Sequence, residues 1–338
     1  MKTNAPVSVR SIDTYDEQKI TEILREQMNT LGYDNTFFEK KKVVIKPNLV
    51  MKKAPDAAAT THPVVLSALL TVLKEKGVSP IIAESPGGLF NRQRLEGVYR
   101  MCGIAEVVER HHVELSYDTE AVFVPFPNGK TVKTFHVIRP IAEADVVIDL
   151  CKLKSHGLTK MSAAIKNFFG VIPGVEKFEM HATFPDYKDF GSMICDLCQM
   201  LYEQKEIIAI TDAIVGMEGD GPTAGTPRKI GALLMSANPF AADIVGETLL
   251  GFENTVPIVR EAVSRGLCPA DISGVTLLGD DIRPLCISDF KEPETAENRA
   301  TSTLSFFSSG KWGRFFMPRP KAVPDICKGC GECVASCP

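Results

Sequence analysis

The chain has 338 residues, a formal net charge of −4 and a hydrophobic content of 44%. This length predicts one large or two smaller domains, and the mild charge disfavours a nucleic-acid partner. No apolar run approaches the ~18 residues of a membrane-spanning helix, and the N-terminus lacks the apolar core of a signal peptide. We therefore expect no membrane partner and a reducing cytoplasm, in which clustered cysteines are metal ligands rather than disulfides.

The order of apolar and turn-forming segments predicts an α/β body with a mixed or parallel sheet, in one or two lobes. In chain order the predicted elements are a strand in 41–50, a helix in 62–77, a strand in 79–88, a hairpin in 121–138, a strand in 144–156, a helix in 159–170, a helix in 187–205, a strand in 206–217, a strand, turn and helix in 230–251, and a strand in 275–281. The first three form a βαβ unit. Functional side chains are expected in the loops that follow strand ends.

Three segments are expected along the chain. Residues 1–290 form the α/β body, and residues 291–325, in which Pro, Ser and Thr are frequent and periodicity is lost, form a linker. Residues 326–338 carry the spacing C-x2-C-x2-C-x3-C-P of bacterial ferredoxins, and thiolates suit iron–sulfur clusters. This ferredoxin-like segment predicts a 4Fe–4S cluster, with a zinc site or four unligated thiols as alternatives. The predicted ligands are Cys327, Cys330, Cys333 and Cys337.

The presence of a single cysteine run leaves two hypotheses for the number of clusters. In two-cluster ferredoxins the fourth cysteine of such a run serves the other cluster. One hypothesis is therefore that the sequence is a truncated form of a longer protein with a second run, in which Cys327, Cys330 and Cys333 hold one cluster and Cys337 reaches toward a second. In the other hypothesis, Cys337 completes a single cluster.

The most informative stretch of the body is 152–174, KLKSHGLTKMSAAIKNFFGVIPG. Lys152, Lys154 and His156 alternate, so on a strand they share one face, and charged residues that continue an apolar run are expected to point into a cleft. The helix predicted next adds free backbone N–H groups and further polar side chains. These side chains are Thr159, Ser162, Lys166 and Asn167. The stretch predicts a site for a carboxylate or phosphate; the alternative is a solvated basic surface with a helix cap at Thr159.

Other predicted strand ends also carry polar residues. Lys46 and Asn48 follow the first strand of the βαβ unit, and Glu84 and Ser85 follow its second strand. His62 directly precedes a predicted helix. A histidine at this place is either a metal ligand, an acid–base group or a solvated cap.

The glycine-rich loop in 211–229 supplies Asp212, Glu218 and Asp220. Carboxylates on such a loop suit a hard cation or a polar substrate, and the alternative is an exposed surface loop. The signatures GxGxxG and GKS/T are missing, so neither a dinucleotide fingerprint nor a Walker A loop is supported. His181 lies in an irregular stretch that is expected to form a lid, and Asp243 either faces the cleft or supports a helix start.

Several of these motifs together carry a family resemblance. VVIKPNLV, the K-x-K-x-H run with MSAAIKNFFGVIPG, and DAIVGMEGDGPTAGTPRK resemble the family catalogued as domain of unknown function 362, over roughly residues 40–285. A terminal ferredoxin segment, usually with two cysteine runs, commonly accompanies that domain. The chain is also similar in fold to the nickel-pincer lactate racemase superfamily. That similarity implies a Lys/His-lined cleft between two α/β lobes for a cofactor and a hydroxy acid.

These observations predict a cytoplasmic iron–sulfur redox enzyme that acts on a small anionic substrate or cofactor, with a redox partner protein. The predicted catalytic residues are His156, Lys154, Lys166 and His62. The predicted binding residues are Lys46, Asn48, Lys152, Thr159, Ser162, Asn167, Glu218 and Asp220. The alternatives are a non-redox isomerase or lyase with a structural cluster, and a non-enzymatic electron-transfer adaptor. An enzyme requires that Lys46, Lys152, Lys154, His156 and Lys166 converge in one pocket.

Overall fold

A mixed sheet of nine strands forms the centre of the computed structural model, which describes residues 5–293. Within that range the strands are, in chain order, β1 (Val7–Ser11), β2 (Val43–Pro47), β3 (Ile81–Ile82), β4 (Glu114–Leu115), β5 (Ala121–Pro125), β6 (Thr134–Ile138), β7 (Val146–His156), β8 (Lys160–Ser162), β9 (Glu206–Glu218), β10 (Thr226–Ser236) and β11 (Leu277–Gly279). The sheet order is β11-β1-β10-β9-β7-β2-β3-β4, β8 pairs with β7, and β5 and β6 form a separate hairpin.

Helices pack against this sheet and connect its strands. In the described range they are α1 (Glu17–Thr30), α2 (Asn35–Phe38), α3 (Pro63–Glu75), α4 (Arg92–Met101), α5 (Ile104–His111), α6 (Arg139–Ala142), α7 (Ala164–Asn167), α8 (Glu176–Thr183), α9 (Tyr187–Gln204), α10 (Pro239–Leu249) and α11 (Pro257–Ser264). Their starts follow ordinary capping chemistry. Asp16, for example, accepts a hydrogen bond from Lys19 N, and Pro63 occupies the first turn of α3.

The sheet has a hydrophobic core on each face. Val146, Ile148 and Leu150 of β7 belong to the core that includes α1, α3 and α5, whereas Val147 belongs to the core that includes α9 and α10. Successive side chains of a strand point to opposite faces, so a strand buried on both faces needs a continuous apolar run. The run VVIDL of β7 is apolar at every position except Asp149, whose side chain is also buried.

The arrangement of the parallel strands determines where polar residues gather. β7 is parallel to both of its neighbours in the sheet, with Ile148 opposite Ile45 of β2 and Ile208 of β9. β3 is parallel to β2. The carboxyl ends of β2, β3, β7 and β9 therefore lie at the same edge, where ligand sites of α/β sheets are usually found.

The structure confirms the α/β body, with its mixed sheet and the predicted hairpin. The described residues form one compact unit and not two lobes. The predicted helix over 159–170 is wrong, because the chain first returns as β8, antiparallel to β7, and then forms only the short α7 and a 3-10 turn at Phe168–Val171. Lys160 adopts a left-handed backbone conformation at this return, with φ 62°, which a continuous helix does not allow.

Some expectations concern parts of the chain beyond the described range. The predicted linker past residue 293, the ferredoxin-like segment and its four cysteines lie outside the described residues. Among residues 5–293, no helix combines the length and the apolar character that a membrane crossing needs.

Candidate functional site

A cavity of about 200 Å³ opens where β2, β3 and β7 end. We call it the lysine cavity. Its wall is formed by Lys46, Asn48, Leu49, Val50, Glu84, Ser85, Gly87, Lys154, His156, Ser162, Lys166, Asn167, Phe169, Gly170, Lys177, Phe178, His181 and Pro222. Lysine is rarely buried without a partner, yet this wall holds four lysines and one carboxylate. The excess of positive charge indicates a site for an anion.

The wall of the lysine cavity contains most of the residues that the sequence predicted. They are Lys46, Asn48, Glu84 and Ser85 from the strand ends, and Lys154, His156, Ser162, Lys166 and Asn167 from the basic stretch. Four of the five residues whose convergence an enzyme requires are thus in one cavity. The fifth, Lys152, lies outside it.

Lys46 has a structural role within the cavity wall. Its Nζ forms a buried ion pair with Glu84 Oε2 at 2.8 Å, and the two side chains are 0% and 3% exposed. The same Nζ donates to the Pro47 carbonyl at 2.9 Å and to Asn167 Oδ1 at 3.2 Å. Because an ammonium group has three protons, these partners leave none for a ligand.

Two asparagines connect the lysines to a buried carboxyl group. Asn48 accepts a hydrogen bond from Lys154 Nζ at 2.9 Å and donates to Asn167 Oδ1 at 2.9 Å. Asn167 Nδ2 in turn donates to Asp149 Oδ1 at 2.5 Å. Burial raises the pKa of Asp149 well above its usual value, and its second oxygen has no partner. The network fixes the orientation of both amides without supplying a carboxylate to Lys154.

Lys154 and Lys177 line the cavity without a carboxylate partner among the described residues. Lys154 donates to Asn48 and to the Ala59 carbonyl, and Lys177 donates to the Ser85 carbonyl. Burial lowers the pKa of each of these lysines from 10.5 to about 7. Both therefore exchange protons near neutral pH and gain charge when an anion approaches.

Lys166 has the fewest hydrogen bonds of the four lysines in the cavity wall. Its Nζ donates no hydrogen bond to any described residue, and it lies 4.3 Å from the ring centre of Phe169 and 5.3 Å from that of Phe190. A cation–π contact supplies ~0.5–2 kcal/mol, which is less than the several kcal/mol that burial of an ion costs. Burial, with help from Lys177 and Lys154, lowers the pKa of Lys166 well below its usual value. These surroundings therefore disfavour the charged form of the Lys166 amine.

His156 is held in one neutral tautomer. Its Nδ1 accepts hydrogen bonds from the backbone N–H groups of Leu158 and Thr159, at 3.2 and 3.3 Å. Burial and the nearby Lys166 lower the pKa of His156 well below 6.5. The proton of the neutral ring is then on Nε2. His156 therefore presents its Nε2–H group as a hydrogen-bond donor, and the predicted proton-transfer role of this residue stays a prediction.

A serine and a glycine complete the wall near the ion pair. Ser85 is 1% exposed, lines the cavity, and its Oγ has no hydrogen-bond partner in the described residues. Because an unpaired buried hydroxyl is unfavourable, this oxygen is suited to a ligand. A methyl group at Gly170 would collide with Lys46 and Glu84, so the close approach of this turn requires glycine.

Lys152 and His62 belong to a separate buried cluster. Lys152 lies directly opposite Asp212 of β9 in the sheet register, and its Nζ is 2.9 Å from Asp212 Oδ2 and 2.7 Å from the Tyr15 hydroxyl oxygen. His62 stacks on Tyr15 with ring centres 3.6 Å apart, and its Nδ1 accepts a hydrogen bond from Val64 N. Burial lowers the pKa of His62 to about 4. In this cluster the ammonium of Lys152 is neutralised and His62 caps α3.

Three further predicted residues lie away from the lysine cavity. Thr159 is fully buried and donates to the Met161 carbonyl at 3.0 Å. Glu218 accepts from Lys291 N at 3.1 Å, and Asp220 is exposed in the connection between β9 and β10. None of the three lines the cavity, although Pro222 of the glycine-rich loop does.

The N–H groups that the sequence assigned to an anion are already bonded. Asp243 accepts from Ala164 N at 2.8 Å and from Ile165 N at 3.0 Å. It therefore supports the start of α7, whereas the role predicted for it besides facing the cleft was support for the start of its own helix. The N–H groups of Ala164 and Ile165 are thus not available to an anion.

Sequence reasoning missed Lys177 and gave His181 only as part of a lid. Both lie on α8 and line the cavity. They are four residues apart, which places them on one face of a helix. Burial lowers the pKa of His181 to about 4, so this ring adds a neutral group. The spacing of Lys177 and His181 in KFEMH is the signal that could have identified the helix face.

The described residues contain no group of His, Cys, Asp or Glu side chains that could hold a metal ion. The donor set that suits iron–sulfur chemistry is the run Cys327, Cys330, Cys333 and Cys337. Those thiols lie outside the described residues, so the cluster stays a prediction.

Two comparisons with known proteins cover the part of the chain that forms this cavity. A family model described as "Domain of unknown function (DUF362)" matches residues 43–248, a range that contains the whole wall of the lysine cavity. A thylakoid-associated protein of Synechocystis sp. is 29% identical over 297 residues, which cover 85% of this chain and 88% of that protein.

Proposed function

We propose that this chain, which belongs to the DUF362 family, binds a small anionic substrate or cofactor in the lysine cavity and acts on it as a cytoplasmic iron–sulfur redox enzyme. The proposal has two parts that are tested separately. The first concerns the anion in the lysine cavity, and the second concerns the cluster on the cysteine run.

The observation that carries the first part is the convergence of Lys154, Lys166 and Lys177 on one cavity without a carboxylate partner. A bound carboxylate or phosphate would accept charge-assisted hydrogen bonds from these amines and offset the cost of burying them. The alternative considered from the sequence was a solvated basic surface. Lys154, Lys166 and Lys177 are only 1%, 8% and 9% exposed, which does not agree with that alternative.

The size of the cavity limits the ligand class. A volume of about 200 Å³ is below the ~300–1,000 Å³ of sites for drug-sized ligands. It suits a small carboxylate or inorganic phosphate. A dinucleotide is excluded from the cavity itself.

Calorimetric titration of the full chain with phosphate, L-lactate and pyruvate tests the first part. We expect at least one of these anions to bind, and the Lys177→Met variant to bind it ~10–100-fold more weakly, since hydrogen bonds to charged groups contribute ~1.5–3 kcal/mol. Lys229→Met is the matched control, because Lys229 is 61% exposed and pairs with Asp13 outside the cavity. Equal affinity in both variants would refute the site.

The second part is supported by the spacing of the cysteine run. Anaerobic purification with counts of iron and acid-labile sulfide measures the cluster content, and a Cys330→Ser variant is expected to lose it. A count of ~4 irons per chain from the full-length gene product would exclude the two-cluster hypothesis. A cluster that accepts no electron from dithionite would contradict the redox part.

The cytoplasmic location is proposed from the sequence features above. The relative in Synechocystis is described as thylakoid-associated, so association with a membrane surface is the competing outcome. Fractionation of cells that express the full chain decides between them, since recovery with the membrane fraction would contradict the proposal.

A non-redox isomerase or lyase is the second candidate function. It is favoured by Lys154 and Lys177, whose pKa values of about 7 suit proton transfer near neutral pH. An adaptor without catalytic activity is less well supported, because the basic residues line a concave cavity and are not spread over an open face.

A further inference from the structure

The amine of Lys166 is in a setting unlike that of the other three cavity lysines. Each of the others donates at least one hydrogen bond to an oxygen atom, whereas Lys166 donates none to the described residues. Instead its Nζ lies against the faces of Phe169 and Phe190.

Both conditions that turn a lysine into a nucleophile are met at this position. Enzymes activate lysine by placing it in an apolar pocket or beside another cationic group. The aromatic faces provide the first condition, and Lys154 and Lys177 in the same wall provide the second. Burial and these neighbours also keep the pKa of Lys166 well below its usual value.

The remaining wall offers partners for a compound with both an acid group and a carbonyl group. Lys154 and Lys177 have no carboxylate partner and suit the acid group. The Nε2–H group of His156 is a donor for an oxygen atom, and Ser85 Oγ is buried without a partner. The wall thus offers donors for an acid group beside an amine that donates no hydrogen bond to the described residues.

We propose that Lys166 forms an imine with the carbonyl carbon of a small 2-oxo acid whose carboxylate is bound by Lys154 and Lys177. The inference rests on the proposed anion-binding function of the cavity, and it is independent of the cysteine run. A 2-oxo acid places the carboxylate and the carbonyl on adjacent carbon atoms, which fits a cavity of about 200 Å³.

The step is balanced without an oxidant or a reductant. The lone pair of Nζ forms the new C–N bond, and the π electrons of the carbonyl move to its oxygen, which takes a proton. A second proton converts this hydroxyl group into water, which leaves as the C=N bond forms, and the nitrogen loses its two protons. Lys154 and Lys177 line the same cavity, and their pKa values of about 7 suit the exchange of these protons.

Reductive trapping tests the imine directly. The full chain is incubated with pyruvate and sodium cyanoborohydride, and the intact mass is measured before peptide mapping. Reduction of an imine adds the mass of pyruvate less one oxygen atom. We expect one such adduct per chain, located on Lys166, at least tenfold less adduct in Lys166→Met, and an unchanged amount in Lys229→Met.

Peptide mapping locates the adduct on the wild-type chain, so the test does not depend on whether Lys166→Met folds correctly. An adduct on Lys154 or Lys177, or one spread over surface lysines, would overturn the assignment. So would the absence of an adduct.

Binding of L-lactate distinguishes two outcomes: failure of imine formation at Lys166, and failure of anion binding in the lysine cavity. It has the carboxylate of pyruvate but a hydroxyl group in place of the carbonyl, so it binds without forming an imine. If lactate binds to the cavity and pyruvate leaves no adduct, the imine is refuted and the anion site stands. If none of phosphate, lactate and pyruvate binds and no adduct forms, both are refuted.

Discussion

Replacement of Lys166 by methionine is expected to stabilise the ligand-free protein. The amine donates no hydrogen bond to the described residues, so Lys166→Met leaves no acceptor unpaired, and methionine adapts well to an irregular apolar site. In the folded protein the pKa of Lys166 is well below 10.5 because of burial, with Lys177 and Lys154 as further causes. The unfolded chain takes up a proton that the folded chain lacks.

The size of this effect follows from proton linkage. For a lysine that is wholly neutral when folded and has a pKa of about 10.4 when unfolded, pH 8 lies about 2.4 units below the unfolded pKa, so the loss of stability is at most about 3 kcal/mol. Because the folded pKa is the lower one, the loss fades as pH rises toward the unfolded pKa. Near pH 10 it falls below about 1 kcal/mol.

Urea unfolding followed by circular dichroism, in buffers without phosphate or carboxylates, measures this difference. We expect the midpoint for Lys166→Met to exceed that of the wild type near pH 8 and the gap to narrow near pH 10. Lys229→Met, which changes an exposed lysine, is expected to stay within ~0.5 kcal/mol of the wild type. A variant that is less stable at both pH values would show that the amine has a partner and would refute the reasoning.

Three other predictions follow from the same contacts. Lys152→Met is expected to destabilise the protein by ~3–5 kcal/mol in urea unfolding, since it leaves the buried Asp212 carboxylate without its cationic partner; a neutral effect would contradict the pairing. Anion affinity measured by calorimetry is expected to fall as pH rises from 6 to 9, because Lys154 loses its proton near pH 7; a flat profile would exclude a charged Lys154 from binding. Gly170→Ala is expected to cost ~1–3 kcal/mol by displacing Glu84, and wild-type stability would show that the turn can relax.

The unengaged lysines give the cavity the properties of a binding site and not of a structural ion-pair network. A protein selected for stability alone would gain from apolar residues at these positions. We therefore infer that a bound ligand offsets the free energy that burial of these lysines costs. The neutral tautomer of His156, held by two backbone donors, fits the same interpretation because it presents one donor to the cavity.

Much of the fold and part of the site could be predicted from sequence. The apolar run before Lys152 predicted a buried strand, and the polar residues at the strand ends predicted where a site would lie. The sequence did not predict the return of the chain as β8. Periodicity over so short a stretch does not distinguish a helix from a strand and a turn, and the helical spacing of Ser162 and Lys166 was accidental.

The sequence by itself determined the α/β alternation, the position of basic residues at strand ends and the cysteine spacing, because all of these depend on local periodicity and on residue type. Only the tertiary structure decided which lysines lack a carboxylate partner within residues 5–293. Lys46 and Lys152 look like Lys154 and Lys166 in the sequence, yet Glu84 and Asp212 neutralise the first two across neighbouring strands. The charge state of a buried amine depends on groups brought near it by folding, and no pattern along the chain contains those distances.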